Sequence, residues 1–458
     1  MTAGAAPALA GAVEGEEDPV ALAARLIRVP SVVPPRPERP DAEAQAIAHV
    51  AERLAAHGIA HRILAADPAR PNLLVRVPGR GAAPPLLVYG HVDVVPAPAD
   101  AWSVDPFGGV VRDGMLWGRG ALDMKGGLAM LVAATIAAAR APEPPPGDVI
   151  LACFADEEAG GRLGAAHVAG AHADLLAGVR HALGEFGGFS LGIAGRTFYP
   201  VQVAEKRTAT LHLAFAGKGG HTALLAGRSP AIRAAEAAAA LARHREPIRV
   251  EPAARAMIAA IADALGGERR LAAAALRALL RPALAPLALK AGGPLLARVF
   301  EPLLRTTAQV TGLAAGGEAP NVVPDAARVR LSVRLLPQDD GAGLLARLAR
   351  IAGADAAIEG ELPPTGPAGF DGSQLGPMQE LIAEIDPGAR VVPMLLPGST
   401  DARHLAPLGI QSYGFLPMRL PPGLSFMELI HAADERVPVE ALREGTRVLA
   451  GFLARYRG

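Results

Sequence analysis

Two short, unbroken apolar runs, Leu86–Tyr89 and Val149–Ala155, end in clusters of ionisable residues, His91-Val92-Asp93 and Asp156-Glu157-Glu158. Runs of that length, bounded by polar residues, read as strands covered on both faces. Leu128 to Arg140 lies between them and reads as a helix, entered through Gly126 and Gly127. A further strand-like run near His181–Leu183 ends at Glu185. Strands alternating with helices predict an α/β fold with a mostly parallel sheet and helices on both faces. In open sheets of this kind ligands bind at the carboxyl edge, which is where the ionisable residues collect.

The rest of the chain fits around that core. Residues 20–60 read as a helix, a Pro-rich loop over Pro30–Pro40 and a second helix, and Asn72–Val77 reads as an alternating strand. The pattern changes near Arg207. Thr208–Ala216 and Val329–Val333 alternate like half-exposed strands, with helical stretches from Ser229 to about Leu304 and from Leu344 to Ile351. The expectation is a discontinuous catalytic, metal-binding domain from residues 1–206 and 365–458. An α+β domain, 207–364, is inserted into it, with its sheet covered on one face.

Composition narrows the function classes. Among 458 residues, 45 Lys and Arg balance 45 Asp and Glu, so no global field draws the chain to nucleic acid or an anionic membrane. Cys153 is the single cysteine, which excludes an internal disulfide and a site built of thiolates. Any metal must therefore be held by imidazole and carboxylate. The opening Met1–Pro19 has no basic start and turns acidic at Glu14, Glu16, Glu17 and Asp18, unlike a secretory signal. Leu128–Ala139 is apolar but about half the ~20 residues of a membrane span. A cytoplasmic protein without nucleic-acid or membrane partners is expected.

His91, Asp123, Glu158, Glu185 and His431 form an inventory suited to two divalent cations sharing a carboxylate, with zinc, cobalt or manganese as candidates. Asp93 lies two positions past His91, on the same side of an extended strand, and can hold the second imidazole nitrogen. Glu157 is left to take a proton from the attacking water and pass it to the leaving nitrogen. Singly, each of these residues reads equally well as a helix cap or a solvated loop. The strings Gly-His-Val-Asp-Val-Val-Pro, Gly-Arg-Gly-Ala-Leu-Asp-Met-Lys-Gly-Gly and Asp-Glu-Glu, in that order on those elements, carry more weight.

With Trp102, Asp105-Pro106-Phe107, Trp117-Gly118-Arg119-Gly120 and the late His431, these strings resemble a metallohydrolase family. It includes aminoacylases, carboxypeptidase S, glutamate carboxypeptidase, acetylornithine deacetylase and succinyl-diaminopimelate desuccinylase. The resemblance implies a two-metal site bridged by Asp123. His91 and Glu185 would belong to one centre or the other, with Glu158 and His431 completing the pair. Glu157 would be the general base, with Asp93 orienting His91 and a cis bond following Asp123. It also implies an inserted lid domain used for homodimerisation. Gly217-Lys218-Gly219-Gly220-His221 resembles a turn whose histidine stabilises the oxyanion, often across the dimer. Asn321 and Arg334 resemble substrate-binding residues, and Gly398-Ser399-Thr400 a loop that closes on the substrate carboxylate.

The implied reaction is hydrolysis of an amide or peptide bond in an N-acyl amino acid or small peptide with a free carboxylate, as in carboxypeptidases and aminoacylases. Tyr199-Pro200, Glu205-Lys206 and the long helical stretch before Asn321 lean that way. Met124 leans to the deacetylase and desuccinylase branch, and Phe186 departs from the usual Glu-Gly-Gly. A biosynthetic deacetylase or desuccinylase, a dipeptidase, and a non-catalytic binder on the same fold are the alternatives.

Overall fold

A computed structural model describes residues 18–224, 227–317, 319–353 and 355–458. Glu14, Glu16 and Glu17, on which the signal-sequence reading rested, lie outside the described residues. The chain divides into two compact units. The larger comprises 1–203, 371–394 and 400–458, and the smaller 204–370 with 395–399.

The larger unit is built on a nine-stranded sheet. Its main path runs His61–Leu64, Asn72–Val77, Val149–Phe154, Leu86–His91, His181–Gly184, Gln411–Gly414, Arg196–Glu205 and Arg390–Leu396. The four strands from Val149–Phe154 to Gln411–Gly414 pair in parallel, and antiparallel pairs flank them. Leu86–His91 and Val149–Phe154 are buried throughout, as their unbroken apolar runs require. Asn72–Val77 does not alternate as expected: only Arg76 is exposed. Its Asn72 is buried, donates to the Leu163 carbonyl at 2.8 Å and accepts from the Ala155 N–H at 3.0 Å.

Helices cover both faces. On one, Lys125–Arg140 packs against Pro19–Ile27 and Val439–Arg455. Almost all its residues are buried, which its apolar character on every side demands. A Cβ at Gly126 would lie 2.2 Å from the Ala121 carbonyl oxygen, so only glycine lets this helix start so close to the preceding turn. On the other face, Leu87, Tyr89, Ile150 and Phe154 pack with Ala165, Val168 and Leu405.

The smaller unit has a four-stranded antiparallel sheet in the order Thr307–Ala315, Ala326–Leu335, Arg207–Ala216, Ala356–Glu359. Leu211, Leu213, Phe215, Val329, Leu331 and Val333 share a core with Ala234, Leu241, Leu344 and Leu348 of two helices. Four more helices fill Pro252–Leu304. Among the described residues, no helix is long and apolar enough to cross a membrane.

Candidate metal centre

His91, the last residue of its strand, is fully buried. Its Nδ1 donates to the Asp93 carbonyl oxygen at 3.0 Å. That contact fixes the tautomer and leaves the Nε2 lone pair for a cation. Nε2 lies 3.2 Å from both Asp123 Oδ1 and Glu185 Oε2. His431 Nε2 lies 3.0 Å from Asp123 Oδ2 and 3.1 Å from Glu158 Oε1. The two oxygens of Asp123 therefore face two different imidazoles, each with its own second carboxylate. The Asp123–Met124 peptide is cis, as the resemblance implied.

Asp93 acts more widely than expected. Its carboxylate accepts the Glu157 N–H at 3.1 Å and the Glu158 N–H at 2.9 Å, one on each oxygen. It stands 3.4 Å from His91 Nδ1, behind the carbonyl that does most of the orienting. One buried residue thus aligns His91 through its carbonyl and both glutamates through its carboxylate. Asp156 before them sits at φ +68°, and its carboxylate is held 2.8 Å from Arg70.

The charges fit cations. Burial chiefly, and neighbouring acids after it, push Glu157 well above its ordinary range; burial also raises Glu158 and Glu185. Burial pushes Asp123 the same way, but hydrogen bonds from His431 and His91 hold its carboxyl low. Contacts with Asp123 and Glu158 raise His431 to about 10. Crowded, buried acids with too few cations among them are stabilised by divalent metal. Among the described residues, two groups have ligand atoms close enough to share an ion: His91 with Glu157 and Glu185, and His91 with Asp123 and Glu158.

Glu157 also lies 3.6 Å from Arg403 Nη2. Sequence reasoning gave Arg403 no separate role, nor Arg119 and Glu435. Arg119 and Glu435 form a buried ion pair behind the Asp123 turn. Arg119 stood in a string already singled out and Glu435 lies four residues past His431, but only folding shows that they meet.

The expected substrate residues fall into separate places. In the smaller unit Arg334 is half-buried and stands in register between Thr208 and Thr307. Thr208 Oγ1 is 3.1 Å from Ser399 Oγ, and Gly398 is half-buried beside it in sequence. His221 and Asn321 are exposed neighbours on a two-stranded ribbon, where the Thr222 N–H donates to the Asn321 carbonyl at 3.0 Å. The ladder from Thr208–Arg334 to Ala216–Ala326 separates that ribbon from Arg334. Eight residues of antiparallel strand span roughly 27 Å. Arg334 and Asn321 therefore stand at opposite ends of the ladder within one chain. Thr400 differs from Gly398 and Ser399 in being buried. Its hydroxyl is buried, accepting from Ala402 N at 3.2 Å and Gln202 Nε2 at 3.4 Å, so it braces the loop from inside.

Residues 87–455 match the model of peptidase family M20/M25/M40, and the chain belongs to that family. A succinyl-diaminopimelate desuccinylase of Rhodospirillum centenum is 44% identical over 146 residues, 31% of this chain and 36% of that relative. The match thus spans about a third of the relative's length. The fold is shared with an M20 family metallo-carboxypeptidase from Sulfolobus solfataricus (TM-score 0.67, 18% identity, 96% of this chain and 99% of that one). It is also shared with human carnosine dipeptidase 1 (TM-score 0.65, 17% identity, 96% of each chain).

Proposed function

We propose that the chain is a two-metal hydrolase that cleaves the amide bond of an N-acyl amino acid or short peptide beside a free carboxylate. The observation that carries this reading is Asp123, whose two oxygens face two different imidazoles, each of which also meets its own glutamate. His91 and Glu185 would hold one cation, His431 and Glu158 the other, with Asp123 shared. The donor set of imidazole and carboxylate suits zinc, and also cobalt or manganese. Such a pair of ions supplies Lewis-acid activation of the scissile carbonyl and of the attacking water.

The chain's own residues do the rest. Glu157, raised by burial, takes a proton from the water and delivers it to the leaving nitrogen. Asp93 holds the backbone from which Glu157 projects. Arg334, beside Thr208 and Ser399, is the group we assign to the substrate carboxylate, because guanidinium matches it with two parallel hydrogen bonds. His221 and Asn321 are assigned to a second copy's substrate, since their own chain's Arg334 lies at the far end of the ladder. The homodimer would form through 207–364, where the edge strand Thr307–Ala315 exposes Leu313. A cytoplasmic location belongs to the same reading, and the buried, unpaired Cys153 suits it.

The likeness to desuccinylases favours a second reading of the substrate, an N-succinyl amino acid. Chelation should abolish hydrolysis, and zinc, cobalt or manganese should restore it. Asp123→Ala should lose both metals. Metal-loaded protein screened by mass spectrometry against N-acetyl and N-succinyl amino acids and dipeptides separates the substrate readings. Full turnover by protein that elemental analysis shows to be free of metal would sink the proposal.

A further inference from the structure

Glu435 is fully buried and lies four residues past His431. Its Oε1 accepts three backbone N–H groups: Gly120 at 3.1 Å, Leu122 at 2.7 Å and Asp123 at 3.1 Å. Its Oε2 accepts from Arg119 Nη1 at 2.6 Å. The other arm of that guanidinium, Nη2, donates to the His431 carbonyl at 3.1 Å. Arg119 is 2% exposed, and its guanidinium carbon lies 5.3 Å from the centroid of the Trp102 ring. The Glu435 carbonyl in turn accepts the Gly118 N–H at 3.0 Å.

A buried ion pair is a poor source of stability, because desolvating both charges offsets most of their attraction. This pair has a geometric consequence instead. One carboxylate oxygen fixes the backbone nitrogen of Asp123, the residue both imidazoles face. Its partner, Arg119, fixes the backbone oxygen of His431, the ligand-type residue from the far end of the chain. The relative position of Asp123 and His431 is thus referred to a single charge pair that is sealed from any substrate.

We propose that Glu435 and Arg119 are positioning residues that set the spacing between the two metal sites, acting through the backbones of Asp123 and His431. The proposal rests on the two-metal reading above. Partners behind metal ligands of this kind alter affinity on the order of 10–100-fold when removed.

The test uses the full chain stripped of metal and titrated with cobalt(II), followed by calorimetry and by the visible absorption of the bound ion. Wild type takes up two equivalents. Glu435→Gln keeps size and shape but leaves Arg119 without a charged acceptor. It should bind one equivalent normally and the second on the order of 10–100-fold more weakly, with an altered absorption band. The double variant Arg119→Met with Glu435→Leu removes both charges, an exchange that keeps stability where a buried pair serves packing alone. It should melt near the wild-type temperature and still bind the second ion weakly. Wild-type affinity for both equivalents in either folded variant overturns the proposal. A wild type that binds fewer than two equivalents sinks the two-metal reading, and this one with it.

Discussion

The candidate metal centre and the candidate substrate residues are built in opposite ways. Around Asp123 the polar atoms of His91, Glu185, Glu158 and His431 lie within hydrogen-bond distance, and Asp93 and Glu435 brace them from behind. In the smaller unit, Arg334 is half-buried at one end of a ladder, while His221 and Asn321 are exposed at the other. Cation-binding groups must be fixed in advance, since crowded acids are tolerable only in one arrangement. Groups that grip a substrate can instead be divided between two copies of the chain, as proposed above for His221 and Asn321.

Glu157→Gln tests the first half of that contrast most sharply. Turnover should fall by ~10²–10⁴ with metal content unchanged, because the prebuilt cluster does not need this proton acceptor. A parallel loss of metal would mean that Glu157 is a ligand, as its closeness to His91 and Glu185 allows. His221→Ala should cost ~10²–10³ in kcat, the usual worth of one oxyanion donor. Mixed dimers of His221→Ala and Glu157→Gln chains should regain part of the lost activity. No recovery in verified heterodimers would place His221 at its own chain's site and dissolve the contrast.

Arg334→Lys should lower kcat/KM for a free-acid substrate by about 1.5–3 kcal/mol, the worth of a charged hydrogen bond. The same exchange should leave an amidated substrate unaffected. Equal rates for acid and amide on wild type would show that Arg334 does not read the carboxylate.

The smallest effect concerns Lys206, which is buried and donates to the Arg305 carbonyl at 2.5 Å. Burial first, and the charge of Arg334 second, bring its ammonium down from 10.5 to about 8. Between those values the unfolded chain holds a proton that the folded one has released. The contribution of this position to stability therefore rises as pH goes from about 8 to 10.5 and levels off beyond. Unfolding free energies of wild type and Lys206→Met, from denaturant titrations across that window, should diverge by on the order of 1–3 kcal/mol in wild type's favour. Parallel curves would show that the ammonium is solvated.

Much of this was legible before folding, and the failures have physical causes. That His91, Asp123, Glu158, Glu185 and His431 gather in one place was legible in the strings that hold them, taken together. Asn72–Val77 was misread because Arg76 mimics the outward half of an alternating strand, whereas its neighbours are buried on both sides. The burial of Thr400 was not legible, because a loop hydroxyl serves a ligand or a backbone N–H equally well in sequence. Glu435 could not be assigned, because the N–H groups it collects lie 312 to 315 residues away. The separation of Asn321 from Arg334 was available in principle. A ten-residue strand, Ala326–Leu335, carries the chain far from the turn that precedes it.

Chain order gives the shared carboxylate a history during synthesis. His91, Asp123, Glu158 and Glu185 fall within 95 residues of one another, whereas His431 follows 246 residues after Glu185. At 5–20 residues per second, that interval is roughly 12–50 s. For that time a nascent chain carries one imidazole and all its acids, with the second imidazole not yet made. On the two-metal reading proposed above, Asp123 begins as a ligand-type residue of a half-built site and gains its second imidazole only when His431 is made.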